Sequence, residues 1–246
     1  MTAFVIAMKE EYKKESKRYL KCLLGLLNSK VLEFYFRKIS TFIRGGYYRY
    51  KTQYLNRLPI KGLFPENKIF IERIVSLVDE LLTLNRNINS TEKKLECFPQ
   101  SYIESDWASD RLIDLVKGHS LTRDTYIISP NSLRTDYKQS DLDGTETFRV
   151  ILAPEEQIHF SHEDAASYVL EILKRANIIT KRELFELRIP QKPHLKSLLN
   201  QRRNDIEQIA RDKKKIAEID RRVDDLVYEL YDINYSERKV IENQLK

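Results

Sequence analysis

The stretch Phe70–Leu95, FIERIVSLVDELLTLNRNINSTEKKL, decides the fold of this chain. Its apolar side chains are separated mostly by three or four residues, and they are Phe70, Ile74, Leu77, Leu81, Leu84, Ile88 and Leu95. This spacing is typical of a helix that buries one stripe against another helix. A helix of about 30 residues is about 45 Å long. The stretch therefore requires a packing partner of similar length.

The segment Leu195–Tyr231 carries a matching pattern. One series spaced by seven comprises Arg202, Ile209, Ile216, Val223 and Leu230, and a companion series includes Leu199, Ile206 and Val227. Lys213 and Asp220 interrupt the companion series, whereas Ile219 and Leu226 widen the apolar stripe. The two patterns predict a long antiparallel helical hairpin, similar to a coiled coil, with the intervening residues inserted at its tip.

The remaining segments predict a mixture of helices and strands. Residues 12–40 have helical periodicity, and Trp107–Val116 resembles a short helix. Strands are predicted at Tyr126–Ile128, Thr147–Leu152 and Gln157–Phe160. Capping boxes at Ser161-x-x-Asp164 and Thr180-x-x-Glu183 predict two helix starts, which form either a DNA-reading helix pair or, as we favour, a packing unit. The predicted fold class is therefore α+β and predominantly helical, with a small α/β insert.

Composition excludes several classes of protein. The 246 residues are 41% hydrophobic with six glycines and seven prolines, which is typical of a folded globular chain. No run approaches the roughly 18 apolar residues of a membrane span, and the first residues lack a secretory signal, so we expect a cytoplasmic protein without membrane contact. Cys22 and Cys97 form no metal-binding pair, and His159 with His162 lacks accompanying ligands.

Charge is distributed unevenly along the chain. The net charge is +6, but residues 34–65 contain seven basic and no acidic side chains. Residues 97–171 contain six basic and fourteen acidic side chains, a balance that repels polyanions. Such blocks favour a molecule that meets nucleic acid along one face only.

No motif for catalysis is present in the sequence. It contains no glycine-rich phosphate loop, no S-adenosylmethionine loop and no Asn-Pro-Pro-aromatic tetrapeptide. Glu92-Lys-Lys and Asp212-Lys-Lys resemble the end of a nuclease motif, but both fall in predicted helices, where alternating charge is usually a solvated face. We therefore predict no catalytic residue, no cofactor, no metal and no small-molecule substrate for this chain.

The basic stretch Ile43–Tyr54, IRGGYYRYKTQY, is the candidate DNA-binding site. Cations can neutralise phosphates, two glycines allow close backbone approach, and tyrosines can pack on sugars or bases. The predicted DNA-binding residues are Arg44, Gly45, Gly46, Tyr47, Tyr48, Arg49, Tyr50, Lys51, Gln53 and Arg57. Alternatively, alternate tyrosines such as Tyr48 and Tyr50 are core residues of a strand whose cations face water.

Three blocks in the first quarter of the chain carry a family resemblance. They are Tyr19–Lys30 (YLKCLLGLLNSK), Phe34–Phe36 (FYF) and Arg44–Ile60 (RGGYYRYKTQYLNRLPI). In this order they resemble the C-terminal specificity domain of TaqI-like adenine-N6 DNA methyltransferases and fused type II restriction-modification enzymes. A further region near the end of the chain, Ile219–Tyr231 followed by Ser236–Glu242, is similar to the ends of the same enzymes.

The resemblance implies a domain that recognises target DNA for a methyltransferase domain, which flips out the adenine. Together with the patterns described above, it predicts four segments: 1–64 as the C-terminal part of a DNA target-recognition domain, 65–96 as a long spacer helix, 97–193 as a small acidic α/β insert, and 194–246 as a C-terminal coiled helix packing on 65–96. The implied partners are double-stranded DNA and a methyltransferase or restriction-modification chain. The alternative is a non-catalytic coiled-coil scaffold or protein-interaction subunit without direct DNA contact.

Overall fold

The computed structural model describes residues 9–43, 47–61, 67–104, 106–129, 133–138 and 147–245. The chain divides into two compact units: unit 1 contains residues 1–89 and 210–246, and unit 2 contains residues 90–209. The fold is α+β and predominantly helical with small antiparallel sheets, as predicted. The division into four segments stays a prediction.

Helices of very different lengths alternate with short strands along the chain. A 3-10 helix, Glu10–Glu15, precedes α1 (Ser16–Leu27), α2 (Lys30–Ile39), β1 (Phe42–Ile43), β2 (Tyr47–Tyr48), α3 (Thr52–Leu55) and α4 (Lys68–Glu96). A second 3-10 helix, Gln100–Tyr102, precedes β3 (Ser109–Arg111), α5 (Leu112–Leu115), β4 (Val116–His119), β5 (Thr125–Ile127), β6 (Arg134–Lys138), β7 (Thr147–Ala153) and β8 (Glu156–Phe160). The last elements are α6 (Glu163–Leu173), β9 (Ile178–Thr180), α7 (Lys181–Phe185), β10 (Arg188–Pro190), α8 (Lys192–Leu230) and α9 (Tyr235–Gln244).

The single helix predicted for residues 12–40 is interrupted between α1 and α2. Ser29, only 1% exposed, has extended backbone at the N-cap of α2 and accepts a hydrogen bond from the Leu32 amide. Its hydroxyl also donates to the Leu26 carbonyl at 2.6 Å. A serine hydroxyl that satisfies backbone groups at a break competes with continued helix, and this is why the apolar periodicity alone misjudged the segment.

The core of unit 1 forms where α1, α4 and α8 meet. Side chains of all three helices are buried in one cluster, including Cys22, Leu26, Ile74, Val78, Ile219, Val223 and Val227. Residues near the start of α4 lie opposite residues near the end of α8, and later residues of α4 lie opposite earlier residues of α8. The two helices therefore run antiparallel in this unit. An ion pair between Lys215 Nζ and Glu80 Oε1, at 2.6 Å, joins them at the surface. The seven-residue pattern therefore located the packing partner of α4, while coiled-coil geometry itself stays a prediction.

The core of unit 2 forms between a four-stranded antiparallel sheet and helices that include α6. The strand order is β4-β8-β7-β6, with Phe148 opposite Phe160 and Val150 opposite Ile158. The strands predicted from the sequence correspond to β5, β7 and β8. The helix predicted at Trp107–Val116 is wrong at its start, because residues 109–111 pair with β10 as strand β3.

The two predicted capping boxes have different outcomes. The Thr180 side chain accepts a hydrogen bond from the Glu183 amide, and the Glu183 carboxylate accepts one from the Thr180 amide, so this box is confirmed. The Ser161 box is not formed, because α6 begins one residue later, with His162 at its N-cap.

A helix that spans a membrane needs about 20 predominantly apolar residues in succession. Among the residues that the structure describes, no helix combines the length and apolar character needed to cross a bilayer.

Candidate nucleic-acid interface

The candidate interface lies in unit 1, at the C-terminal end of α2 and in the residues that follow it. β1 and β2 pair antiparallel, with Phe42 opposite Tyr48 and Ile43 opposite Tyr47. The predicted DNA-binding residues Arg44, Gly45 and Gly46 fall outside the residues that the structure describes. Of the others, Tyr47, Tyr48, Arg49, Tyr50, Lys51, Gln53 and Arg57 lie on β2, on α3 or next to them.

Two hydroxyl residues after α2 hold the segment that follows β2. Ser40 donates a hydrogen bond from Oγ to the Arg49 carbonyl at 2.8 Å, and the Arg49 amide donates to the Thr41 carbonyl at 3.0 Å. The Thr41 hydroxyl also hydrogen-bonds the Tyr54 hydroxyl. This hydrogen bond, together with one to Gln53 and the nearby positive charges, lowers the pKa of Tyr54. The backbone around Arg49 is thus fixed against the end of α2.

Aromatic contacts fix two of the tyrosine rings. The Tyr50 ring stacks on buried Phe36 with 4.4 Å between ring centroids and an interplanar angle of 20°. The Tyr48 ring meets Phe42 edge-on at 5.5 Å, and the Arg37 guanidinium lies 5.6 Å from the Tyr48 centroid. Tyr50 nevertheless remains 64% exposed, so it is not a core residue, whereas Tyr48 is half-buried.

Tyr47 is the most exposed aromatic side chain of the candidate interface. It retains 72% of its accessible surface, although its backbone pairs with Ile43 in the two-stranded sheet. A large aromatic ring left in water on an ordered strand is available for contact with another molecule.

Three cations of the candidate interface have no carboxylate partner. Arg49, Lys51 and Arg57 are exposed, and none forms an ion pair within the described part of the chain. By contrast, Arg37 pairs with Glu33, and Lys61 Nζ lies 2.7 Å from Asp232 Oδ2. Because no acid neutralises the three free cations, their field is directed at solvent and attracts anions.

The residues that follow Arg57 are hydrogen-bonded to Tyr231, at the C-terminal end of α8. The Tyr231 hydroxyl donates a hydrogen bond to the Pro59 carbonyl and accepts one from the Lys61 amide at 3.1 Å. Burial raises the pKa of Tyr231, so its hydroxyl stays protonated and able to donate. The residues that carry the three cations are therefore held at the end of α2 and, beyond Arg57, by Tyr231 after α8.

The described residues contain no group of three or more His, Cys, Asp or Glu side chains placed to hold a metal ion. The second lysine of the nuclease-like sequence Glu92-Lys-Lys is engaged elsewhere, since Lys94 Nζ lies 2.9 Å from Asp205 Oδ2 and 4.2 Å from the Tyr102 ring centroid. An ammonium group held this way is not directed at a scissile phosphate.

Sequence reasoning identified the exposed cations and tyrosines but missed the residues that position them. Ser40, Thr41, Phe36 and Phe42 all contact predicted site residues. A serine and a threonine immediately after a predicted helix are a usable signal, because their hydroxyls commonly bond nearby backbone. The two phenylalanines carry no such signal, since they resemble ordinary core residues.

Comparison with known proteins agrees with the resemblance seen in the sequence. Neither the curated proteins nor the solved structures include a significant match to the chain. The similarity of Ile219–Glu242 to the ends of the same enzymes lies outside the matched residues and stays a prediction. The family model described as the TaqI-like C-terminal specificity domain matches residues 2–60, which confirms the resemblance of that segment and suggests a DNA-recognition role in restriction-modification systems.

Proposed function

We propose that the basic segment, Phe42–Arg57 of unit 1, binds duplex DNA as the target-recognition module of a type II restriction-modification system. It positions the duplex for an adenine-N6 methyltransferase that lies outside this sequence. The observation that carries the proposal is a set of three unpaired cations beside exposed tyrosines, within the segment that matches a specificity domain.

Phosphate contacts supply the affinity and set the register on the duplex. Arg49, Lys51 and Arg57 each neutralise one phosphate, and Arg44 adds a further contact. Since these three cations have no competing carboxylate within the described residues, their binding requires no ion pair to be broken. Gly45 and Gly46 allow the backbone to come close to a phosphate without a side chain in the way.

Base and sugar contacts come from the exposed rings and polar side chains. Tyr50 has one face on Phe36 and more than half its surface in water, so its orientation is set before DNA arrives. Preorganised side chains lose less rotamer entropy on binding. Tyr47 packs on a sugar or base, and Gln53 or Arg49 hydrogen-bonds a base edge in the major groove. Tyr48 stabilises the pair of strands β1 and β2.

The chain itself performs no bond-breaking step in this proposal. Its match to a specificity domain is consistent with a non-catalytic role. The methyltransferase supplies the cofactor site and extrudes the adenine from the duplex, while this chain holds the flanking duplex in place.

The test is duplex DNA binding by fluorescence anisotropy across a range of salt concentrations. We expect measurable binding at low salt by the unaltered chain. Replacing Arg49, Lys51 and Arg57 together with alanine removes three phosphate contacts and should flatten the slope of log affinity against log salt by about 2.7, at about 0.9 per contact. Each single replacement should reduce the slope by about 0.9 and weaken all duplexes similarly.

A matched control is available in the same acid-free segment. Lys61→Ala also removes one positive charge, but Asp232 already neutralises that charge, so the slope should be almost unchanged. An unchanged slope in the triple variant would refute the assignment of the segment. Absence of duplex binding by the unaltered chain at low salt would instead favour the scaffold interpretation.

A further inference from the structure

Unit 1 contains an apolar groove between α1, α4 and α8, with a volume of about 570 Å³. Its apolar lining includes Leu24, Val78, Leu82, Ile216 and Val223. Val78 and Val223 are buried at 2% and 5% exposure, whereas Leu24 remains 42% exposed. The groove therefore has a floor continuous with the core and an apolar wall that reaches solvent.

The two asparagine side chains of the rim do not bridge across this groove. The Asn28 Nδ2 donates to the Leu24 carbonyl at 2.8 Å, and the Asn85 Nδ2 donates to the Leu81 carbonyl at 2.9 Å. Each amide is thus bonded within or at the end of its own helix. Gly25 also lines the groove and adds no side chain to it. These rim residues therefore do not cover the apolar floor.

The charged residues at the rim are predominantly acidic. Glu33, Asp220 and Asp224 line the groove together with one cation, Lys30. Lys30 Nζ pairs with Asp224 at 3.1 Å, and Glu33 pairs with Arg37. Asp220 is different, because its carboxylate has no hydrogen-bond or ion-pair partner in the part of the chain that the structure describes.

Asp220 is solvent-exposed and lies near Asp224 at the rim of the groove. Partial desolvation, together with the negative charge of Asp224, raises the pKa of Asp220. A carboxylate that is partly desolvated and beside a like charge is stabilised when a cation approaches. Unit 1 therefore offers an apolar floor and, at its rim, an acid that lacks a counter-charge.

We propose that this groove binds an amphipathic helix of a partner protein, with apolar side chains on the groove floor and a lysine or arginine paired with Asp220. Helices bind such grooves through apolar residues spaced by three or four, and flanking charges select among them. The unpaired negative charge of Asp220 at the rim disfavours nucleic acid and anionic lipid as occupants, since both carry negative charge. The inference stands without the DNA-binding proposal.

The groove lies close to the basic segment, so a partner bound in the groove would also lie close to that segment. Glu33, at the groove, and Phe36, beneath the Tyr50 ring, are about one turn apart on α2. One helical turn rises about 5.4 Å. A partner helix in the groove would therefore lie close to the segment proposed to bind DNA.

The test uses the full chain and two designed peptides that share an apolar helical face. One carries lysines beside that face, and the other carries glutamates at the same positions. We expect the lysine peptide to bind at least about tenfold more tightly in a fluorescence anisotropy titration, a difference of about 1.4 kcal/mol. Asp220→Lys should reverse the preference, and Leu82→Asp should weaken the lysine peptide about tenfold or more.

Ile69→Asp is the matched control, because Ile69 is 72% exposed on α4 and does not line the groove. It should leave peptide affinity unchanged, and circular dichroism should show that every variant is folded. No binding of the lysine peptide at about 1 mM, or equal binding of both peptides, would overturn the proposal. A dimer of the chain that Leu82→Asp dissociates would also overturn it, since a second copy would then be the occupant. Duplex affinity should not respond to Leu82→Asp, which keeps this test separate from that of the basic segment.

Discussion

Replacing Gly25 with alanine should destabilise the protein, although alanine is ordinarily the better helix residue. Gly25 is buried in α1, and a Cβ built on it would lie 2.7 Å from Ile74 Cγ2 and 3.0 Å from Val78 Cγ2. Carbon atoms in contact prefer about 3.5–4.0 Å, so α1 would have to move away from α4 by close to an ångström. Ile74 is fully buried, so its side chain cannot withdraw into solvent.

Two opposing contributions set the expected change. Alanine in place of glycine within a helix is favourable by about 0.5–1 kcal/mol. Forcing an extra carbon into a packed core costs about 1–3 kcal/mol. We therefore expect Gly25→Ala to lower the free energy of unfolding by about 1–2 kcal/mol.

Urea denaturation followed by circular dichroism measures the change, with Gly118→Ala as the control. A Cβ on Gly118 would meet nothing within 4 Å, so that variant should be neutral or slightly stabilised. In an Ile74→Ala background, which removes the closer of the two contacting methyl groups and leaves that of Val78, Gly25→Ala should be less destabilising. A Gly25→Ala protein as stable as the unaltered one would show that α1 and α4 are not in close contact at this position.

Two further predictions concern unit 2. Glu156 accepts hydrogen bonds from the Thr122 hydroxyl at 2.6 Å and the Thr122 amide at 3.3 Å, and the hydroxyl bond is the first cause that lowers the pKa of Glu156 below its ordinary value of 4.5. The ionised Glu156 therefore stabilises the folded state above about pH 4.5, and this stabilisation is lost as the pH falls through the lowered pKa of the folded state. Glu156→Gln should make the free energy of unfolding, followed by Trp107 fluorescence, less dependent on pH in this acidic range. Equal pH dependence of the two proteins would contradict this prediction. Thr180→Ala should cost about 1 kcal/mol by removing the cap of α7, and Thr180→Ser, which keeps the hydroxyl, should cost much less. Urea denaturation compares these variants, and equal losses would contradict a capping role.

The long helices were predictable because their signal extends over many residues. Ile74, Leu77, Leu84 and Ile88 are buried positions of α4 that belong to the predicted series, whereas buried Ile71 and Val78 lie outside it. A pattern that extends over so many residues tolerates such exceptions. Short elements depend instead on distant partners. Asp110 belongs to a strand because it pairs with Ile189, and nothing within the local sequence carries that information.

The capping residues show a finer limit of sequence reasoning. Thr180 and Ser161 have the same pattern of hydroxyl and acid, yet only Thr180 caps a helix. The start of α6 lies one residue later than the Ser161 pattern places it, and a shift of this size removes the hydrogen bond entirely. Boundary errors of one or two residues are thus enough to misassign a cap.

In the candidate interface, charge was predictable and orientation was not. The absence of acids from residues 34–65 can be read directly from the sequence, and among the described residues Arg49 and Lys51 form no ion pair. The stacking of Tyr50 on Phe36 depends on where α2 ends and how Ser40 and Thr41 hold the following backbone. Such a contact arises from tertiary geometry, so the sequence left the roles of the individual tyrosines open.

The hydrogen bond between Lys30 and Asp224 affects which fragments of this protein are suitable for experiments. The Lys30 amide donates to Asp224 Oδ1 at 2.9 Å, and Cys22 and Leu26 share one core with Ile219 and Val227. Expression of residues 2–60 alone would leave that core without the side chains of α4 and α8, and aggregation is the expected result. A fragment intended to retain the specificity segment should instead keep both ends of the chain, and replace residues 90–209 with a short flexible linker that joins α4 directly to α8.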